Sequence, residues 1–475
     1  MLKKHILSGL RENLGYQPTD CQSRLMDFLA DFILNPESRN VLLVKGYAGT
    51  GKTSIVSALV RTLETFRLKS VLMAPTGRAA KVFASFAGKT AYTIHKKIYR
   101  QKSSRDGFGK FILEKNLHSQ TIFMVDEASM ISNKSSEISM FGSGRLLDDL
   151  ITYVYNDKAC KLILIGDTAQ LPPVGFEVSP ALNKRVLEGF GLGVTEIFLD
   201  EIVRQSQGSG ILVNATSLRN QLKRKDFHFP RMCMKSYSDI KRIKGEDLLE
   251  EITTTYDRLG MENTIVVVRS NKMANKYNAG IRNLILWREN EISVGDYIMV
   301  VKNNYYWGST DETIDFIANG DIAEICRVRD YQERYGFRFA DVLIRFPDYH
   351  DIEIETKVLL DTITLEAPSL SEEDSRKLYN AVAEDYPDAK SKKQQFDLIR
   401  NDPFFNALQV KFAYAVTCHK AQGGQWPAVF IDQGYIHEDR IDIEYLRWLY
   451  TAVTRATEKL FLVNFRDDFF EDVES

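Results

Sequence analysis

The chain has 475 residues, 44% of them hydrophobic and 27% charged, which is ordinary for a globular protein and long enough for several cores, since single cores stop growing near ~250–300 residues. A net charge of −2 from 62 basic and 64 acidic side chains excludes a uniformly basic nucleic-acid binder, so any such site has to be a local channel. No apolar run approaches the ~20 residues that cross a bilayer, the N-terminal residues lack the pattern of a secretory leader, and five scattered cysteines without a CxxC pair argue against zinc, iron–sulfur and disulfide frameworks; a cytoplasmic protein is expected.

Along the first part of the chain, short apolar runs alternate with helix-like stretches. The runs at 41–44, 70–73, 121–125 and 162–165 each end at a polar motif, the pattern of buried parallel strands with functional loops at their carboxyl ends. After the first run comes GYAGTGKTS, residues 46–54, a complete P-loop spacing. Its glycines let backbone N–H groups turn inward around phosphates, Lys52 can reach the β/γ-phosphates, and the Thr53 hydroxyl can bind Mg²⁺. Gly46, Ala48, Gly49, Thr50, Gly51, Lys52, Thr53 and Ser54 are the expected cradle. A chance glycine turn is the plain alternative; the strand before it and the motifs after it weigh against that.

At 100–116 the pattern breaks, and Asp106-Gly107 signals a hairpin, so a small β insertion is expected. After the run at 121–125 stand Asp126 and Glu127. An acidic pair at a strand end is often a solvated cap. Behind a P-loop it suits a metal's shell at Asp126 and activation of a water at Glu127. The run at 162–165 leads to Gly166, Asp167 and Gln170; the Gln170 amide suits sensing a γ-phosphate or an attacking water, and a surface Gln in a Pro-rich loop is the alternative.

A second α/β half is expected from about Leu199, with strands at 264–268 and 428–431. From Val294 the character changes: VGDYIMVVKNNYYW and FIANGDIAEICRV are strand-rich with Gly-Asp and Asn-Gly turns, which suggests an inserted β-barrel. The stretch 369–406 is charge-rich and helix-like, and the strand pattern returns at 410–416. The expected fold class is α/β: two lobes with parallel sheets, a β-hairpin insertion in the first and a β-barrel insertion in the second. The expected division is 1–198 for the first lobe with its hairpin insertion at 100–118, 199–290 and 407–475 for the second, and 291–406 for the barrel with a helical extension.

In this order, the blocks resemble a superfamily 1 DNA helicase, and most closely its RecD-like, phage Dda-like branch. Residues 19–22 resemble the adenine-reading Q motif, with Gln22 as the reader. APTGRAAKVF (74–83) resembles motif Ia, TIHKKIY (93–99) motif Ib, VDEASM motif II, GDTAQLPPVG motif III, DEIVRQ (200–205) motif IV, TCHKAQGGQ (417–425) motif V and YTAVTRA (450–456) motif VI. The resemblance implies RecA-like P-loop lobes with an ATP and Mg²⁺ site between them. Arg204 and Arg455 would reach into it from the second lobe, and Gly423 would join the nucleotide-binding residues. Such a finger is worth ~10³–10⁵ in rate and acts only when the lobes close; a surface helix cation is the alternative for Arg455. Pro75, Thr76, Thr93 and His95 in the first lobe, with Thr417, His419 and Gln422 in the second, would hold a strand by its backbone, since hydroxyl, imidazole and amide groups position phosphates without reading sequence.

The inserted hairpin resembles the branch's strand-separating pin, with Phe108 and Phe111 at its tip or packed beneath it, and the barrel resembles the SH3-like domain behind it. One departure stands out. Motif V reads Gln-Gly-Gly-Gln where relatives often have Gln-Gly-Ser-Glu, so Gln425 replaces an acid suited to holding a ribose. The leading expectation is an ATP-dependent DNA helicase and translocase with 5′→3′ travel implied by the resemblance. It would be a monomeric motor on single-stranded DNA and duplex junctions, without a membrane. Two readings stay open: an RNA helicase of the same superfamily, for which no group reading a 2′-hydroxyl is identified, and an NTP-driven switch that binds no nucleic acid.

Overall fold

The computed structural model describes residues 1–37, 39–101, 111–134, 142–156, 159–201, 203, 208–234, 237–310, 317–389 and 391–471. A six-stranded parallel sheet forms the first lobe, in the order Ala91–Thr93, Lys69–Ala74, Thr121–Val125, Lys161–Gly166, Asn40–Gly46, Gly193–Leu199. Side chains alternate across a strand, and the central strand shows it. Leu42 and Val44 join one core with Ile6, Leu25 and Leu59 of the helices Leu2–Leu14, Asp20–Leu34 and Lys52–Thr65. Val41 and Leu43 join the opposite core with Leu147 and Leu150 of the helix Leu146–Tyr155. A strand covered on both faces reads as a continuous apolar run, which is why the four runs were legible.

The second lobe is a five-stranded parallel sheet, Ala415–Thr417, Thr264–Val268, Trp426–Asp432, Ala456–Val463, Ile240–Ile243. Between its parts lies a closed barrel of Tyr297–Val300, Ile322–Arg334, Phe337–Phe346, Ile352–Leu359 and Leu408–Phe412. The expected boundary at 406 is corrected here. Leu408–Phe412 closes the barrel against Tyr297–Val300 and Ile352–Leu359, and the chain re-enters the second sheet only at Ala415. The apolar run at 410–416 is two strands in different sheets, each wholly or nearly buried, and burial pattern alone cannot separate them.

The 369–406 stretch contains the helices Glu372–Ala383 and Lys392–Arg400. Leu378, Val382 and Ile399 pack on Phe339 and Leu359 of the barrel. At the junction of lobe and barrel, Asp296 is fully buried between Arg282 and Arg288, with oxygens 3.0 and 2.6 Å from their nitrogens, and it accepts the Tyr414 hydroxyl at 2.8 Å. The hairpin insertion is present as Tyr99–Gln101 paired antiparallel with Phe111–Leu113. Its turn signal Asp106-Gly107 and Phe108 lie outside the described residues.

Candidate nucleotide cleft and nucleic-acid face

The strand Asn40–Gly46 delivers the chain into the P-loop, where Gly49 and Gly51 take φ of 75° and 77°, left-handed values open to glycine at little cost. The helix Lys52–Thr65 starts there, so its N-terminal N–H groups and dipole face the loop's hollow. Lys52 Nζ bridges the loop's opening, donating to the carbonyls of Gly46 at 2.8 Å and Tyr47 at 2.7 Å. The Thr50 hydroxyl ties the loop to Tyr47 O. Thr53 is half-buried and Ser54 exposed at the helix start. Gln22 is fully buried and already engaged. Its Oε1 accepts the Thr19 N–H at 3.1 Å, completing a capping box, and its Nε2 donates to Thr50 O at 3.1 Å. It braces the P-loop from behind.

Asp126 and Glu127 follow the strand Thr121–Val125 directly. Burial, then the neighbouring Glu127 charge, raises the Asp126 carboxyl above the usual range, while Lys52 pulls it back. A carboxylate held at such cost suits a site meant for a cation. Among the described residues no cluster of three His, Cys, Asp or Glu side chains is present. A Thr53 hydroxyl and an Asp126 carboxylate beside phosphate oxygens make the oxygen donor set that Mg²⁺ takes. Glu127 sits at φ 51°, a conformation rare for a residue with a Cβ and concentrated at functional sites. The Gln170 Oε1 is buried without a hydrogen-bond partner, an acceptor left for a donor such as water.

The second lobe closes this cleft. The Tyr450 hydroxyl donates to Asp167 Oδ2 at 2.6 Å and accepts the P-loop N–H of Ala48 at 2.9 Å. Thr451 Oγ1 accepts the Leu171 N–H at 2.9 Å, and Gln422 Nε2 donates to Leu171 O at 2.8 Å. Arg455 is 2% exposed. It donates to Thr451 O, Gly424 O and Thr454 Oγ1 at 3.0–3.2 Å, and its Nη1 lies 4.0 Å from Glu127 Oε1.

On the other face of the lobes, Thr76 caps the helix Gly77–Ala87 through Ala79 N–H, and the buried Thr93 caps Ile94–Ile98 through Lys96 N–H. Pro75 is half-buried beside Thr76. His95 stands with its ring 5.8 Å from Tyr99, and burial pushes its pKa down to about 4. Thr417 is half-buried and His419 exposed. Burial, then the nearby Lys411 charge, pushes Lys420 down to about 8, and its ammonium reaches Asn319 of the barrel. Tyr305, on the segment between barrel strands, packs its ring 4.2 Å from that of Phe111 at the base of the hairpin.

Residues 33–229 match the family described as an AAA domain, and residues 412–463 match the UvrD-like helicase C-terminal domain. The ATP-dependent DNA helicase dda of Enterobacteria phage T4 is 23% identical over 458 residues, covering 90% of this chain and 95% of that protein. The ATP-dependent RecD2 DNA helicase of Deinococcus radiodurans is 22% identical over 450 residues; 93% of this chain aligns, but it spans 48% of that relative's length. A solved structure of Pif1 helicases at forked duplex DNA aligns over 96% of this chain and 95% of that chain, with 16% identity and a TM-score of 0.49. With the ordered motifs, these likenesses are consistent with a superfamily 1 helicase of the RecD-like, Dda-like branch.

In this chain the cleft gathers Lys52, Thr53, Asp126, Glu127, Gln170 and Arg455 from segments far apart in sequence. Two expected residues sit elsewhere. Gln422 is buried against motif III instead of lining an open face. Gly423 lies under motif Ia, where a Cβ would meet Ala79 at 3.1 Å and Thr76 Oγ1 at 3.3 Å. Arg204 lies outside the described residues. Sequence reasoning missed Tyr450 and Thr451 as bridging groups. Their signal was modest: adjacent hydroxyls in the buried C-terminal half of the helix Ile443–Val453. Among the described residues no helix is long and apolar enough to cross a membrane.

Proposed function

We propose that this helicase uses ATP and Mg²⁺ to travel 5′→3′ along single-stranded DNA and to part duplex DNA ahead of it, as a cytoplasmic, monomeric motor. The observation that carries the reading is the position of Arg455. It is a second-lobe guanidinium, almost wholly buried, 4.0 Å from the first-lobe carboxylate of Glu127. Chemistry in such a cleft is tied to the distance between the lobes, which is what a motor requires. Both named relatives are ATP-dependent DNA helicases, which supports DNA over the RNA and switch readings.

Bound MgATP supplies the phosphoanhydride and the metal's charge neutralisation. Around it, Lys52 would exchange its two P-loop carbonyls for phosphate oxygens, and Thr53 and Asp126 would hold the metal. Glu127 takes a proton from the attacking water, and the unpartnered Gln170 carbonyl accepts the water's other hydrogen, which aims its lone pair. Arg455, with Arg204, offsets charge developing on the transferred phosphoryl group. Pro75, Thr76, Thr93, His95, Thr417 and His419 hold the strand by its backbone. We assign 1–198 to the first lobe, 199–290 and 413–475 to the second, and 291–412 to the barrel and its helical extension. The Tyr305–Phe111 contact supports a barrel that braces a strand-separating hairpin.

The test is strand separation with ATP and Mg²⁺ on matched duplexes bearing a 5′ tail, a 3′ tail or blunt ends, with Lys52→Ala as the control. Unwinding only the 5′-tailed duplex is expected. A 3′ preference would overturn the polarity and leave the motor. ATPase activity indifferent to DNA, with no unwinding, would overturn the DNA reading.

A further inference from the structure

The strand-facing helix of the first lobe and the cleft arginine of the second are joined by a short series of contacts. Arg78, at the start of the helix Gly77–Ala87, lays its guanidinium over the Trp426 ring with Cζ 3.9 Å from the centroid. Its Nη2 donates to Gln425 O at 3.2 Å. The loop beneath is bare of side chains for a steric reason. A Cβ at Gly424 would fall 2.5 Å from Trp426 Cη2 and 3.0 Å from Arg78 Cδ. The same two residues then hold Arg455: Gly424 O accepts from its Nη1 at 3.1 Å, and Trp426 N–H donates to its carbonyl at 2.9 Å. Arg455 ends 4.0 Å from Glu127.

We propose that Arg78 is a positioning residue that places Arg455 according to whether a strand occupies the Thr76 end of its own helix. The inference rests on the strand-dependent ATPase argued above. As it stands, three of the five N–H donors of Arg455 are held by Gly424, Thr451 and Thr454 of its own lobe. A shift of Gly424 would therefore shift the Arg455 guanidinium bonded to it. Arg78 is the first-lobe cation that touches Gln425, Trp426 and the space over Gly424. Thr76 caps that helix two residues before Arg78, so a strand drawn onto Thr76 moves the helix start and Arg78 with it. A guanidinium suits the task because it stacks flat on an indole while still donating in its plane; an ammonium cannot do both. Glycine at 424 follows from the same packing.

The experiment measures ATPase rate against oligo-dT concentration for the full chain, Arg78→Ala, Arg78→Lys and Gly424→Ser, with binding of labelled oligo-dT in the absence of nucleotide. For the Arg78 variants, the DNA-free rate, the KM for ATP and nucleotide-free oligo-dT binding are expected to stay within about twofold of wild type. The DNA-stimulated kcat is expected to fall roughly tenfold or more in Arg78→Ala, and less in Arg78→Lys, which keeps stem and charge. Gly424→Ser, which wedges Arg78 from Trp426, is expected to lose stimulation as well. Full stimulation in Arg78→Ala, or a proportional loss of basal and stimulated rates, would overturn the coupling. If Arg78→Ala does not fold, the same comparison is made on Arg78→Lys. A wild-type ATPase that ignores oligo-dT would instead overturn the parent reading and take this one with it.

Discussion

A histidine in a motif is not yet a charge. His95 and His419 occupy matching Thr-x-His-Lys contexts, and burial lowers the pKa of both. His419 keeps an exposed surface, whereas burial holds His95 down at about 4. In the proposed strand contact His95 would therefore act as a neutral imidazole. Its folded pKa is below the ordinary 6.5, so its contribution to stability is complete above about pH 6.5 and is lost as the pH falls towards 4. Replacing His95 with Gln is expected to leave the slope of log affinity against log salt unchanged, because no phosphate counter-charge is removed. Fluorescence titrations of oligo-dT at several salt concentrations check this; a slope smaller by about one would show that His95 binds as a cation. The sequence displayed the residue type and the spacing. It did not display the packing around Tyr99 that decides the protonation state.

At the scale of elements, docking of the barrel on motif Ia turns on a glycine. A Cβ at Gly77 would lie 2.5 Å from the Tyr349 hydroxyl and 2.6 Å from Asp321 Oδ1. Lys81, one turn on, pairs with Asp348 at 2.9 Å. Asp321 accepts the Ala318 N–H and the Tyr349 hydroxyl, yet burial pushes it up to about 7. Its folded pKa lies above the unfolded value, so the folded state is favoured most at acid pH, and this contribution is lost as the pH rises from about 4 through about 7. Asp321→Asn is expected to gain stability over wild type at pH 8 relative to pH 5, by roughly 1–3 kcal/mol in urea unfolding; an equal difference at both pH values would reject the assignment. The strands and helices themselves were largely legible, because continuous apolar runs, helix caps and turn residues are local signals. The destination of Leu408–Phe412 was not, since a short buried strand carries no mark of which sheet will pair with it.

For the whole molecule, the decisive surface lies between the lobes, and it is polar as well as apolar. Tyr450 joins a second-lobe helix to both the P-loop and Asp167. Tyr450→Phe leaves the Ala48 N–H and Asp167 Oδ2 without this partner, a loss of about 1–3 kcal/mol per buried group. It is expected to raise the KM for ATP several-fold with a smaller effect on kcat, because it loosens the cradle and spares Lys52, Glu127 and Arg455. Steady-state ATPase kinetics check this; an unchanged KM with a collapsed kcat would assign Tyr450 to the chemical step instead.

The sequence by itself determined the P-loop, the acidic pair, the ordered motifs, the parallel strands and the presence of an inserted barrel, because each depends on residue types at short spacings with a local physical cause. Only the tertiary structure decided which motif residues meet. Gln22 braces the P-loop, Gln422 holds motif III, Gly423 lies under motif Ia, and Arg78 reaches Trp426. These assignments depend on how two lobes and a barrel pack across hundreds of residues, and a side chain's spacing along the chain holds no record of the surface it will be pressed against.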